Sequence, residues 1–157
     1  MGSKAIHLAG ESRTIGLAAS LARRAKGGER IFLYGPLGSG KTTFARGFLR
    51  ALGVRGAIRS PTFALIHEYR LRERRFPKRV YHMDFYRLKP PELENLGLRE
   101  YLEDPAAVCL VEWPEAAARR LPADRLELRL EHDERGRTLR ARAFGERSTE
   151  LLRGLRA

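Results

Sequence analysis

The sequence predicts an α/β layered fold built on a mixed, largely parallel central sheet, and three observations carry that prediction. The run Ile31-Phe32-Leu33-Tyr34 is short and apolar, and a glycine-rich turn and a helix-forming stretch follow it at once. A second run of the same kind, Ala106 to Glu112, lies further along the chain. Helical stretches alternate with these runs, and strands apolar on both faces belong in the middle of a sheet with helices packed on it.

Taken in order, Ile6 to Leu8 reads as a short edge strand, and Glu11 to Lys26 places Ile15, Ala18, Ala19 and Ala22 at helical spacing before Gly27-Gly28 ends it. After the strand Ile31 to Tyr34, a helix runs from Lys41 to about Leu52. Thr62 to Leu71 and Arg79 to Phe85 read as a strand pair joined by a basic turn. Pro90-Pro91-Glu92 opens a short helical stretch, because proline is tolerated in a first turn. Trp113 to Arg120 reads as a short helix, Leu126 to Glu131 and Thr138 to Phe144 as a hairpin turned near Asp133 to Gly136, and Ser148 to Leu155 as a last helix. With no repeat and no linker, the whole chain, 1–157, is expected to be one domain.

Composition excludes several classes. Hydrophobic residues make up 43% and charged residues 32%, which is globular, and no apolar run approaches the roughly 20 residues that cross a bilayer. The first residues lack the pattern of a secretory signal, and the lone Cys109 has no cysteine to pair with, so a reducing cytoplasm is the expected location. Cys109 sits inside Ala-Val-Cys-Leu-Val and reads as a small buried hydrophobe. The net charge of +12 attracts phosphate-bearing partners, RNA included. It is equally compatible with a charged surface suited to heat. The densest basic cluster, Arg72, Arg74, Arg75 and Lys78, falls in the turn between two strands, where solvent exposure is the default and RNA contact the sharper alternative.

The strongest motif is Gly35-x-x-x-x-Gly40-Lys41-Thr42, set between an apolar strand and a helix. Small residues at 35, 38, 39 and 40 let the backbone curl so that N–H groups point inward, and the following helix adds partial positive charge at its start. This is a phosphate cradle, and the predicted arrangement is P-loop NTPase-like. Lys41 would reach the β- and γ-phosphates of ATP, and Thr42 offers a hydroxyl to Mg²⁺. Such a site also needs an acid at the end of a neighbouring strand. Asp84 ends Val80-Tyr81-His82-Met83, Glu112 ends Val108-Cys109-Leu110-Val111, and either fits. Ser60-Pro61-Thr62 lies where a hydroxyl would sense the γ-phosphate, although the same residues also suit a turn that starts a strand. His82 reads as a supporting group rather than a catalyst, Trp113 as a core or pocket-lining aromatic, and Tyr86 and Arg87 as packing and surface charge.

Together the motifs resemble the TsaE (YjeE) family, over essentially the whole chain. The resemblance rests on Gly35-Pro-Leu-Gly-Ser-Gly-Lys-Thr-Thr-Phe-Ala-Arg-Gly, Ser60-Pro-Thr-Phe, Tyr81-His-Met-Asp-Phe-Tyr-Arg-Leu, Leu98 with Glu100-Tyr101, and Leu110-Val-Glu-Trp-Pro-Glu, in that order. It implies a cytoplasmic ATPase that works with TsaD and TsaB in making threonylcarbamoyladenosine in tRNA, without itself transferring the group. It also implies roles by residue. Leu37, Gly38, Ser39, Gly40, Lys41, Thr42 and Thr43 resemble the phosphate loop, Thr14 a nucleotide contact, and Thr42 with Glu112 the Mg²⁺ ligands. Asp84 and Thr62 are similar to the hydrolysis-related acid and the switch hydroxyl, and Trp113 to an aromatic beside the site. Pro36 departs from the family, which commonly has an acid there; the backbone cradle needs no side chain at that position.

Two other classes remain to be weighed. A nucleoside or metabolite kinase would share the loop but needs an acceptor region and an arginine-rich lid, and no acceptor motif is evident. A nucleic-acid module without catalysis would interleave basic residues with stacking aromatics on one sheet face, and no such pattern is visible along the chain.

Overall fold

The computed structural model describes residues 2–61, 64–72 and 76–155. Within them, seven strands, β1 (Gly2–Leu8), β2 (Arg30–Tyr34), β3 (Ile66–Arg70), β4 (Arg79–Asp84), β5 (Ala107–Glu112), β6 (Arg125–Asp133) and β7 (Gly136–Phe144), form one sheet in the order β1-β7-β6-β2-β5-β4-β3. The four inner strands, β6, β2, β5 and β4, run parallel. Antiparallel pairings of β7 with β6, β1 with β7 and β3 with β4 close both edges, so the sheet is mixed with a parallel centre. Every residue of β5 is buried, as expected for a central strand covered on both faces.

Two layers cover the sheet. On one side lie α1 (Glu11–Ala22), α2 (Lys41–Ala51) and α5 (Glu146–Arg153), whose Leu17, Leu21, Phe44, Phe48 and Leu151 join Ile31, Leu33, Leu110, Leu128 and Leu139 in the larger core. On the other side lie the short helices α3 (Pro90–Leu93) and α4 (Leu98–Leu102) and a 3-10 helix, Pro114–Arg120. They cover Phe32, Met83, Cys109 and Val111, but this smaller core draws no residue from β1, β6 or β7. Burial pushes the Cys109 thiol up to about 12, consistent with a packing role.

Several boundaries differ from the sequence reading, each for a local reason. The first helix stops at Ala22 rather than Lys26, because the buried Glu29 carboxylate takes the amides of Lys26 and Gly27, each at 2.8 Å, and bends the chain into β2. The last helix begins at Glu146, two residues before Ser148, because Asp124 reaches across from the start of β6 to accept the amides of Arg147 and Ser148 and the Ser148 hydroxyl. The short helix expected from Trp113 to Arg120 begins one residue later, at Pro114, and is of the 3-10 kind, entered from Trp113 at φ 54°. The strand expected over Thr62 to Leu71 is shorter, Ile66–Arg70, while Thr62, Arg74 and Arg75 lie outside the described residues. No helix among the described residues is long and apolar enough to cross a membrane.

Candidate functional site

The carboxyl ends of β2, β5 and β4 meet around a hollow of about 330 Å³ lined by Leu37, Gly38, Gly40, Lys41, Thr42, Thr43, Ser60, Asp84, Tyr86, Glu112, Trp113 and Arg137. Its floor is the turn from β2 into α2. Gly35 takes φ +142° with no room for a side chain, since a Cβ there would strike the Leu130 carbonyl and lie 2.6 Å from Ser39 Oγ. Gly40, at φ +106°, starts α2 with the bond from Phe44 N to Gly40 O at 2.9 Å. The first-turn amides of α2, which an α-helix leaves without internal acceptors, therefore face the hollow end of the helix together with its positive dipole.

Lys41 is 4% exposed and its ammonium folds over the loop, donating to Gly35 O at 2.6 Å and Pro36 O at 2.8 Å. The same nitrogen stands 4.0 Å from the centre of the Trp113 ring. Burial pulls its pKa below the ordinary lysine value, while Glu112, Glu115 and Asp84 oppose that shift. The two acids lie side by side: Asp84 and Glu112 are register partners in the parallel β4–β5 pair, 3% and 1% exposed. They face different neighbours. Glu112 Oε1 accepts the Thr42 hydroxyl at 2.8 Å, and its Oε2 lies 2.6 Å from Nε2 of the fully buried His82. Asp84 Oδ2 accepts the Ser60 hydroxyl at 2.7 Å and Oδ1 accepts the Tyr86 amide at 2.9 Å. Tyr86 packs on Trp113 with ring centres 4.7 Å apart, so the two form one aromatic wall.

The structure thus gathers Leu37, Gly38, Gly40, Lys41, Thr42, Thr43, Asp84, Glu112 and Trp113 at one place. Ser39 is buried beneath the loop, 3.4 Å from the Lys41 nitrogen. Thr14 is elsewhere: fully buried in α1, its hydroxyl directed to Gly10 O at 3.4 Å, it does not line the hollow. Thr62 is outside the described residues, but its neighbour Ser60 lies on Asp84. Arg137, which sequence reasoning missed, flanks the loop from the start of β7; a Cβ added at Gly40 would lie 3.1 Å from its Nη1. No sequence signal marks it, since only the hairpin brings it there.

The donor set fits a small hard cation. Thr42 Oγ1 and Glu112 Oε1, 2.8 Å apart, match two adjacent corners of an octahedron with bonds of about 2.1 Å. Among the described residues no three His, Cys, Asp or Glu side chains cluster to hold a metal by themselves, so such an ion would draw its other oxygens from phosphate and water.

A mixed α/β sheet with a glycine-rich strand–loop–helix at its parallel centre and two acids at neighbouring strand ends defines the class. The comparisons with known proteins narrow it. The family model for Threonylcarbamoyl adenosine biosynthesis protein TsaE matches residues 8–141, and the chain belongs to the TsaE family. It is 44% identical over 115 residues to the tRNA threonylcarbamoyladenosine biosynthesis protein TsaE of Bacillus subtilis, across 73% of this chain and 69% of that protein. The proteins of the same description from Mycobacterium tuberculosis H37Rv and Haemophilus influenzae are 42% identical over 125 residues and 43% identical over 93. The first match covers 75% of this chain and 73% of the relative, the second 59% and 56%. The crystal structure of Bacillus subtilis YdiB superposes with a TM-score of 0.77 at 32% identity, over 98% of this chain and 93% of that one. The family acts in the biosynthesis of threonylcarbamoyladenosine in tRNA.

Proposed function

We propose that this protein is a Mg²⁺-dependent ATP hydrolase that drives the tRNA modification cycle with TsaD and TsaB and does not itself transfer the threonylcarbamoyl group. The observation that carries the reading is the Thr42–Glu112 pair, a half-buried hydroxyl on a buried carboxylate beside the loop that Lys41 spans. In this reading the amides at the start of α2 and the Lys41 ammonium bind the β- and γ-phosphates, exchanging the carbonyls of Gly35 and Pro36 for phosphate oxygens. Thr42 and Glu112 would hold Mg²⁺, which would supply charge neutralisation on the phosphates. His82 keeps the second Glu112 oxygen turned away from Thr42. Asp84, steadied by Ser60 and the Tyr86 amide, accepts a hydrogen bond from water and orients it. Arg137 adds positive charge beside Gly40, and Trp113 with Tyr86 walls the site.

Leu37 and Tyr86, 74% and 51% exposed, stand on the rim, which leaves the site open for a partner to complete. Slow turnover by the protein alone, stimulated by TsaD and TsaB together, is the expected result, with Lys41→Ala as the blank. Full turnover indifferent to both partners, or phosphate passed to an added nucleoside or metabolite instead of water, would overturn the proposal.

A further inference from the structure

Among the described residues, the helices of the smaller core pack on nothing from β1, β7 or β6, so the face of these strands turned away from α1, α2 and α5 lies open and strand alternation decides what it displays. Along β6, Leu126, Leu128 and Leu130 are buried in the core while Arg125, Glu127, Arg129 and Glu131 point the other way. Along β7, Leu139, Ala141 and Ala143 are buried, and Thr138, Arg140, Arg142 and Phe144 point outward. Register then sets the neighbours: Arg125 opposes Phe144, Glu127 opposes Arg142, and Arg129 opposes Arg140. Tyr34 at the end of β2 extends the row beside Arg129.

Guanidinium groups and rings therefore interleave. Arg125 lies 4.0 Å and Arg142 5.2 Å from the centre of the Phe144 ring, and Arg129 lies 4.9 Å from that of Tyr34. Along the chain these residues are scattered from 34 to 144, which is why the pattern of basic and stacking side chains was not visible in the sequence; the folded sheet assembles it. Two of the four arginines are matched by acids, Arg125 by Glu127 at 2.8 Å and Arg140 by Glu131 at 3.4 Å. Arg129 and Arg142 make no ion pair with any described residue. Moreover, like charges directly opposed across two strands, as at Arg129 and Arg140, work against the sheet. An anion lying over both would remove that penalty.

We propose that this open sheet face binds RNA, with Arg129, Arg140 and Arg142 on phosphates and with Phe144, Tyr34 and the guanidinium planes as stacking surfaces for bases. A guanidinium fork matches a phosphate in two hydrogen bonds. Carboxylates of an acidic protein would use that feature equally well, but they gain nothing from the half-buried Phe144 and Tyr34 rings with guanidinium planes over them, whereas the bases of single-stranded or looped RNA stack on such surfaces. The net charge of +12 supplies the long-range attraction. The choice of tRNA as the RNA to test rests on the family's pathway; the binding itself requires no ATP hydrolysis.

The experiment is fluorescence anisotropy of labelled, unmodified tRNA titrated with the full-length protein at several salt concentrations without ATP, so that failure of the hydrolase reading would leave it untouched. Arg129→Ala with Arg142→Ala is expected to weaken binding about tenfold or more, and to make the slope of log affinity against log salt shallower by about two. Arg23→Ala with Arg24→Ala, which follow α1 on the opposite face of the sheet, is expected to stay within about twofold of the parent. Phe144→Leu should weaken binding where Phe144→Tyr does not. If the alanine pair fails to fold by circular dichroism, Arg129→Gln with Arg142→Gln replaces it. Equal affinity in the sheet-face variants, equal loss in the Arg23 and Arg24 control, or displacement of tRNA by poly-glutamate at matched charge would each overturn the proposal, the last in favour of an acidic polypeptide.

Discussion

Two acids at each end of the sheet, Glu29 and Asp124 at one and Glu112 and Asp84 at the other, are held by different balances of backbone and side-chain partners. At the amino ends of the parallel strands, Glu29 takes two backbone amides and Asp124 takes two more with the Ser148 hydroxyl. At the carboxyl ends, Glu112 bonds the side chains of Thr42 and His82, and Asp84 bonds Ser60 as well as one amide. Backbone partners are fixed by the path of the chain, so Glu29 and Asp124 shape turns and cap a helix. A hydroxyl can rotate and release its acceptor, so Glu112 and Asp84 are able to exchange partners with a ligand. Volume does not make the distinction: the amino-end hollow measures about 560 Å³ against about 330 Å³ for the loop site. Several charges in the larger hollow are already engaged, Lys26 with Glu150 and Arg147 with the Gly27 carbonyl.

The comparison breaks or sharpens under mutation. The largest effect is expected for Lys41→Ala, which should cut ATP turnover about a thousandfold while moving the melting temperature by less than about 3 °C. A large loss of stability instead would make Lys41 a structural lysine and blur the distinction between the two ends. Glu29→Ala should do the reverse. It strips two charge-assisted bonds from a buried turn, an expected cost of about 3 kcal/mol or a melting point lower by about 6–12 °C, with ATP affinity unchanged by calorimetry.

Asp124→Ala removes the cap that α5 lacks locally, since Gly145 offers no side chain, and should cost about 1 kcal/mol in a denaturant melt. The smallest effect concerns acid. Burial raises the Asp124 carboxyl, but the hydrogen bonds from Ser148 Oγ and the amides of Arg147 and Ser148, together with the Arg147 charge, outweigh it and hold the group below its ordinary value. Its contribution is then complete above about pH 4 and lost as pH falls through the depressed value. Melting curves between neutral and acidic pH should show a shallower acid limb for Asp124→Asn than for the parent, and identical limbs would remove Asp124 from the acid response.

Much of this was legible along the chain. Ile31 to Tyr34, the glycine spacing and Lys41-Thr42 are contiguous, and contiguous residues carry their geometry with them: a strand, a turn that only glycine allows at Gly35, and a helix start. Asp84 and Glu112 were legible for a related reason, because each ends an apolar run and parallel pairing aligns such ends. Trp113 could be read as lining a pocket, although its positive φ and its place over the Lys41 ammonium could not.

What escaped reading depends on pairs distant in sequence. Glu29 ending α1, Asp124 capping α5, Arg137 arriving beside Gly40 and His82 meeting Glu112 are contacts between elements, and no local propensity encodes them. The alternation of β6 and β7 was visible, but which of their faces would remain without a covering helix was not. By itself, then, the sequence determined the kinds of element, the phosphate-cradle turn and the acids at strand ends, since these follow from side-chain period and backbone sterics over a few residues. Tertiary structure alone decided strand order and register, and through them which charges are neutralised and which stand free, because Coulomb energy and burial depend on distances in space that no spacing along a chain sets.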